Sequence, residues 1–269
     1  SNRTTKVLEA VNICYVVIIF YKTVDYYINT QLWSTTGSWS NPVRIGNETN
    51  IQSVSTVVDG PWMNVYYNTS DNRIIHRYSI NGTQWSNPNQ IPNINTNKQV
   101  QAFIRSGIYT IVYIGLDGNM YYKYFGAGGW TPPIPIETNE QVENLATMVG
   151  GDWLNIYYTH SDNRIIHRYS INGTQWSNPN QIPNINTNKQ VQAFIRSGIY
   201  TIVYIGLDGN MYYKYFGAGG WTPPIPIETN EQVENLATMV GGDWLNIYYT
   251  HSDNRIIHRY SINGTQWSN

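Results

Sequence analysis

The chain has 269 residues, 41% of them hydrophobic and 12% charged, with a formal net charge of −1. This is enough apolar material for a sizeable core, and the charge balance offers no basic field to hold a nucleic acid. The single cysteine, Cys14, excludes a disulfide within the chain; it lies in the apolar stretch VNICYVVIIFY and reads as a buried structural thiol. The apolar run from Val16 to Tyr21 is far short of the roughly 18 to 20 residues of a membrane helix. No basic stretch with a small-residue cleavage site precedes it, so the expectation is a soluble domain without signal peptide or membrane insertion.

The residue usage predicts strands. Tyr (23) and Trp (10) accompany many Ile, Val and Thr, while Gly (22) and Pro (12) cluster with Asn between apolar runs. Helical periodicity is nowhere sustained. In chain order, TTKVLEAVNI predicts the first inner strand. The following IIFYKTVDYYINTQLWSTTGSW aligns with NVYYNTSDNRIIHRYSINGTQW, setting Tyr21 against Tyr67 and Trp39 against Trp85. From Asp71 onward the chain repeats: residues 71–161 and 162–252 are identical, and DNRIIHRYSINGTQWSN begins a third time at Asp253.

Each 91-residue unit holds two similar halves, marked by the turns NGTQWSNPNQIP and GAGGWTPPIPIE. The turn tryptophans Trp39, Trp85, Trp130, Trp176, Trp221 and Trp267 stand 46, 45, 46, 45 and 46 residues apart. Six modules of about 45 residues predict an all-β fold, a six-bladed β-propeller of four-stranded antiparallel blades in one domain. The blades fall near 1–45, 46–91, 92–137, 138–182, 183–228 and 229–269. In the fourth, strands are expected near Val142–Val149, Leu154–Thr159, Arg164–Ser170 and Pro179–Ile182. The last of these carries proline, which cannot donate to a ladder and belongs on an outer edge. The sixth blade is expected to lack an outer strand of its own; the segment from Ser1 to Lys6 could supply one, although TTKVLEAVNI is also needed inside the first blade. Perfect identity between copies implies recent amplification or deliberate design, and any sites the copies carry are duplicates.

Few residues suggest chemistry. His76, His167 and His258 are copies of one position in RIIHRY; equivalent positions around a ring lie far apart, so they suit contact with a ligand or a structural role better than a metal. No cofactor motif is present. His160 and His251 sit in the turn YTHSDN and are expected to be solvated. Glu137, Glu140 and Glu143 recur as Glu228, Glu231 and Glu234, which leaves a glycosidase-like pair open, but a site repeated around a ring suits binding. Asn68-Thr-Ser and Asn81-Gly-Thr, the latter copied at Asn172 and Asn263, are glycosylation sequons only in a secretory route, and NGT is equally a tight-turn sequence.

The turn YSINGTQWSNP resembles a shortened Asp box of the sialidase propellers, with Ser79, Asn81, Gly82 and Trp85 in place and Asn for Asp. That box is a structural turn and speaks to fold. A fuller resemblance runs through LNIYYTHSDNRIIHRYSINGTQW, which is similar to the blade pattern of the fungal-type fucose-binding lectins, the Aleuria aurantia lectin family. The resemblance implies a six-bladed propeller that binds sugar between adjacent blades through an Arg on the second strand, a Glu on the third and an aromatic residue of the neighbouring blade. Here the Arg position falls on Asn64, Asn155 and Asn246 in even blades and on Thr110 and Thr201 in odd ones. The Glu position falls on His76, His167 and His258, or on Tyr122 and Tyr213. The stacking aromatic matches Trp85, Trp130, Trp176 and Trp221, with Trp39 and Trp267. Charge-assisted hydrogen bonds are thereby replaced by neutral ones, which are roughly half as strong.

The residue chemistry points the same way. Sugar sites pair flat aromatic faces with amides and hydroxyls, in which this chain is rich, and weak pockets repeated around a ring gain avidity. The function expected is a multivalent lectin for glycans or glycoconjugates, not an enzyme, with shallow pockets between blades, acting as a monomer or small homo-oligomer. Two other readings stand beside it: an amplified or designed scaffold with little or no binding, and a sialidase-like enzyme. Each tryptophan also has a plain reading as inter-blade core.

Overall fold

A computed structural model of the chain describes residues 6–13, 16–23, 27–33, 37–137, 141–228, 232–241, 244–264 and 266–268. Cys14, Glu140, Glu231 and residues 1–5 lie outside these. The chain divides into two compact units, Ser1–Thr138 and Asn139–Asn269.

In the first unit, β1 (Lys6–Ile13), β2 (Val16–Lys22), β3 (Ile28–Trp33) and β4 (Val43–Arg44) form an antiparallel meander. A second follows from β5 (Val54–Asp59), β6 (Trp62–Asn68), β7 (Ile74–Ser79) and β8 (Asn89–Gln90). The third comprises β9 (Val100–Arg105), β10 (Ile108–Ile114), β11 (Met120–Gly126), β12 (Gly129–Trp130) and β13 (Ile134–Glu137). In the second unit, β14 (Val142–Gly150), β15 (Trp153–His160), β16 (Ile165–Ser170) and β17 (Asn180–Gln181) make the fourth sheet. The fifth holds β18 (Val191–Arg196), β19 (Ile199–Ile205), β20 (Met211–Gly217), β21 (Gly220–Trp221) and β22 (Ile225–Glu228). The sixth has three strands among the described residues, β23 (Val233–Gly241), β24 (Trp244–His251) and β25 (Ile256–Ser261). These sheets are the blades of an all-β, six-bladed β-propeller.

The third and fifth blades have five strands where four were expected. Their turn GAGGW folds back on the preceding strand, pairing Phe125 with Trp130 and Phe216 with Trp221, while the proline-bearing strands β13 and β22 pair with the same partner further along. The outer strand of the fourth blade is shorter than Pro179–Ile182 because Pro179 has no N–H to give; the pairing continues through the Ile182 N–H, which donates to the Ile165 carbonyl at 2.9 Å.

Every blade is apolar on both faces, and alternation decides which residue goes where. Tyr66 packs with Ile91, Val100 and Ile111 between the second and third blades, while its neighbour Tyr67 packs with Ile18, Phe20 and Val65 between the first and second. Tyr157 and Tyr249 fill the equivalent cores of the second unit, between the fourth and fifth and the fifth and sixth blades. Side chains also satisfy inner-strand backbone groups across the gap. Ser53 Oγ accepts from the Val100 N–H (3.0 Å), Ser55 Oγ from the Ala102 N–H (2.9 Å), and Lys189 Nζ donates to the Val233 carbonyl (2.9 Å).

The Asp-box-like turn closes as the resemblance implies. Gly82 N–H donates to Ser79 Oγ (2.9 Å), and Asn81 Oδ1 accepts from the N–H groups of Thr83 (2.9 Å) and Gln84 (3.0 Å). The turn's tryptophan is tied in as well, with Trp85 Nε1–H donating to the Gly82 carbonyl at 3.2 Å.

Two buried polar residues give opposite predictions. Asn68 is fully buried, accepts from the Ser53 N–H (2.7 Å) and donates to the Lys98 carbonyl (2.7 Å), so Asn68→Ala strands both groups and lowers stability by about 1–3 kcal/mol. The Tyr157 hydroxyl is buried with no partner among the described residues, so Tyr157→Phe leaves stability unchanged or raises it by up to about 1 kcal/mol. Thermal or urea denaturation of the two variants reads both outcomes.

Candidate functional site

In even blades the second and third strands project one polar pair. Asn155 on β15 and His167 on β16 share a face, and His167 Nε2 lies 2.9 Å from Asn155 Oδ1. The same 2.9 Å separates His76 from Asn64 and His258 from Asn246. An amide oxygen only accepts, so the imidazole carries its proton on Nε2 and leaves Nδ1 as an acceptor. Each ring lies flat on a buried tyrosine: His76 on Tyr66 (4.5 Å, 13°), His167 on Tyr157 (4.5 Å, 7°) and His258 on Tyr248 (4.4 Å, 6°). Burial pushes the His76 and His167 pKa down to about 4 and lowers that of His258, so the pair is neutral at physiological pH.

Two residues outward on the same face, Trp153 and Tyr169 meet edge to face at 5.3 Å and stay about 40% exposed, forming an aromatic lip. Trp62 with Tyr78 and Trp244 with Tyr260 repeat it. These tryptophans were not among the residues expected from the sequence, although Trp153 stands two positions from Asn155 and shares its face by simple alternation. The facing wall differs between copies. Between the second and third blades, the Tyr109 hydroxyl donates to Asp59 Oδ2 at 2.6 Å. Between the fourth and fifth, the counterpart of Asp59 is Gly150, where a Cβ would stand 2.9 Å from the Tyr200 hydroxyl.

The odd-blade positions are buried too. Thr110 and Thr201 each donate a hydroxyl to the carbonyl two residues back, of Ile108 and Ile199, at 3.3 Å. Tyr122 and Tyr213 are buried and lie against Tyr124 and Tyr215, with ring centroids 6.4 Å apart. In the second unit Thr201 and Tyr213 come together in a cavity of about 290 Å³ between the fifth and sixth blades, with Arg196, Tyr215, Leu245 and Asn263. The sixth-blade turn presses on it: a Cβ at Gly264, whose φ is +78°, would stand 3.2 Å from the Tyr213 hydroxyl and 3.4 Å from Arg196 Nη1. Arg196 is not among the residues the sequence pointed to, because FIRSGIY carries no motif that marks it. The counterpart between the first and second blades, about 240 Å³, is lined by Val16, Ile18, Leu32 and Met63, and Thr30 bonds the Gly82 carbonyl at 3.3 Å.

The six turn tryptophans are not one equivalent set. Trp85 packs edge-on to Phe20 (6.1 Å) and Trp267 joins the core between the fifth and sixth blades. Trp130 and Trp221 stand edge-on to Tyr66 (6.3 Å) and Tyr157 (6.2 Å). Trp39 meets Trp33 at 5.2 Å, and Trp176 lines an open depression of about 400 Å³ with Trp153 and Tyr169. His160 and His251 pair with Asp162 and Asp253 at 2.8 and 2.9 Å. Glu143 and Glu234 are exposed on β14 and β23, and the side chains of Glu137 and Glu228 lie outside the described residues. Among the described residues, no cluster of His, Cys, Asp and Glu could hold a metal ion.

Solved structures share this arrangement of six blades. The fold is that of the fucose-binding propeller lectins. The lectin of Aleuria aurantia, described as a six-bladed β-propeller with a novel mode of fucose recognition, superposes with a TM-score of 0.79 at 15% identity over 99% of this chain and 94% of that one. The SapL1 lectin, solved with α-methyl fucoside, gives 0.78 at 13% over 98% and 94%, and the BP39L lectin of Burkholderia pseudomallei 0.73 at 13% over 94% and 79%. No family model and no curated protein matches the sequence.

Two measurements test the geometry. An unfolded histidine titrates near 6.5 and the folded ones near 4, so the unfolded chain binds more protons in that window, and stability falls as pH drops through it. Replacing His76, His167 and His258 by Gln is expected to make the fall in Tm between pH 7 and 4.5 shallower. Gly264→Ala is expected to cost about 1–2 kcal/mol through its positive φ, whereas Gly219→Ala, which meets nothing within 4 Å, stays near neutral; thermal denaturation distinguishes them.

Proposed function

We propose that the protein is a multivalent carbohydrate-binding lectin whose pockets are the crevices between adjacent blades, acting on glycans or glycoconjugates without catalysis. The observation that carries this reading is the cavity between the fifth and sixth blades. It gathers a guanidinium, a phenol, a threonine hydroxyl, an amide and the aromatic ring of Tyr215 in about 290 Å³. Ligand pockets run from about 300 Å³ upward, so this one suits a single sugar ring better than a larger ligand. Its chemistry supports the same view: a ring lays its apolar face on an aromatic side chain while hydroxyls find donors and acceptors at the edge. The fold shared with lectins named for fucose adds support.

The neutral Asn–His pairs of the even blades supply weaker hydrogen bonds than an Arg–Glu pair, which argues for low affinity per site and reliance on repetition. Residues 71–161 and 162–252 are identical, so whatever one copy binds the other is equipped to bind.

A glycan array followed by calorimetry on any hit tests the proposal. More than one sugar per chain is expected, with Tyr215→Ala weakening binding tenfold or more at its crevice while circular dichroism is unchanged. A blank array from folded protein, or full affinity in Tyr215→Ala at every site, would remove the reading or this crevice from it.

A further inference from the structure

Resting on the lectin reading, we infer that the crevice between the fifth and sixth blades is specific for an anionic sugar, with Arg196 receiving its carboxylate or sulfate. Among the described residues the other arginines, Arg105 included, have partners. Arg73, Arg164 and Arg255 pair with Asp71, Asp162 and Asp253 at 2.6–2.7 Å, and Arg77 pairs with Glu48 at 2.8 Å. Arg168 and Arg259 donate to the carbonyls of Ser177 (2.9 Å) and Ser268 (3.0 Å), and Arg44 lies over the Tyr27 ring. Arg196 differs. It is half-buried at the end of β18, it lines the cavity, and its guanidinium has neither an ion pair nor a hydrogen bond among the described residues.

Among the described residues no carboxylate lines this cavity: around Arg196 stand Thr201, Tyr213, Tyr215, Asn263 and aliphatic side chains. A guanidinium partly withdrawn from water and left without a counter-charge is costly, and a ligand that brings an anion recovers that cost. Its planar fork matches a carboxylate or sulfate with two parallel hydrogen bonds. A Cβ at Gly264 would stand 3.4 Å from the guanidinium tip and 3.2 Å from the Tyr213 hydroxyl, so the two groups flank one spot, and an anion held there sits beside a phenol and within reach of a sugar ring lying on Tyr215.

The other crevices sharpen the contrast. That between the first and second blades is lined by Val16, Ile18, Leu32 and Met63, with no charge, and that between the second and third carries Asp59 bonded to Tyr109. Arg196 therefore acts as a specificity-determining residue for one kind of crevice. Arg105 is its identical copy in sequence.

The test is an array in which each neutral glycan is printed beside its sialylated, uronate and 6-sulfated counterparts. It is probed with the native protein and with a variant carrying Arg105→Gln and Arg196→Gln together. The native protein is expected to favour charged members by about tenfold, ~1.4 kcal/mol, with the advantage shrinking as salt rises. Sialylated and uronate members identify a carboxylate ligand and the 6-sulfated members a sulfate. In the double variant the ratio of charged to neutral binding falls to about one, whatever the loss in binding of the neutral members. Arg196→Lys with Arg105→Lys, which keeps the charge without the fork, retains part of the preference and guards against a folding defect. Equal binding of charged and neutral members by the native protein, or a preference that survives both Gln substitutions, overturns the inference and leaves the lectin reading intact. No binding to any glycan by folded protein overturns both.

Discussion

The rest of the structure depends on one constraint: each blade is a thin sheet that is apolar on both faces and cannot be stable until both are covered. The tyrosine pairs carry this most plainly. Tyr66 and Tyr67, adjacent in sequence, enter cores on opposite sides of the same blade, and both are nearly inaccessible to water. A sheet so built is pinned on two sides, and its register follows, because a slip by one residue would exchange the two faces. The polar and aromatic features of the candidate site lie at the margins of these cores. The Asn–His pair, the aromatic lip and the Arg196 cavity all lie where packed residues give way to solvent.

Identical sequence does not produce identical surroundings. The Asn–His pair is the same in three copies, yet the wall it faces carries Asp59 in the first unit, and in the second the backbone of Gly150 lies under Tyr200. Arg77 is held by Glu48 and the Tyr67 hydroxyl, and these bonds outweigh burial in keeping the Glu48 carboxyl below the usual carboxylate range. Its copy Arg168 instead donates to the Ser177 carbonyl. The unrepeated residues before Asp71, Glu48 and Asp59 among them, thus give the crevices different polarity, even though most of the chain is one unit written twice.

Much of the fold was legible in the sequence because strands with two buried faces leave a strong signature. Val142–Val149 falls one residue short of the observed β14 at its end, and Leu154–Thr159 one residue short of β15 at each end. The two-residue strands β12 and β21 were not legible, since a pair of residues carries no alternation and GAGGW reads as a turn whichever way it folds. The site was less open to reading. The resemblance marked Asn155 and His167, but nothing in twelve residues of separation says that they bond to each other rather than to a ligand. The tryptophans were conspicuous by spacing alone, and spacing cannot separate Trp267, which joins a core, from Trp176, which lines an open depression.

The duplicated unit also bears on how the chain reaches this state. Strand β11 and its copy β20 are the same seven residues, MYYKYFG, and so are β10 and β19, IYTIVYI. During folding each can dock on either partner with the same local contacts, and the wrong choice is exposed only when the chain between them has to be placed. Such degeneracy favours trapped intermediates and exchange of blades between molecules. What opposes it is connectivity: neighbouring strands joined by tight turns find each other first, because closing a short loop costs less entropy than closing one of 91 residues. The diverged first blade has no twin, and it gives the assembling ring one place where the order of blades is written unambiguously.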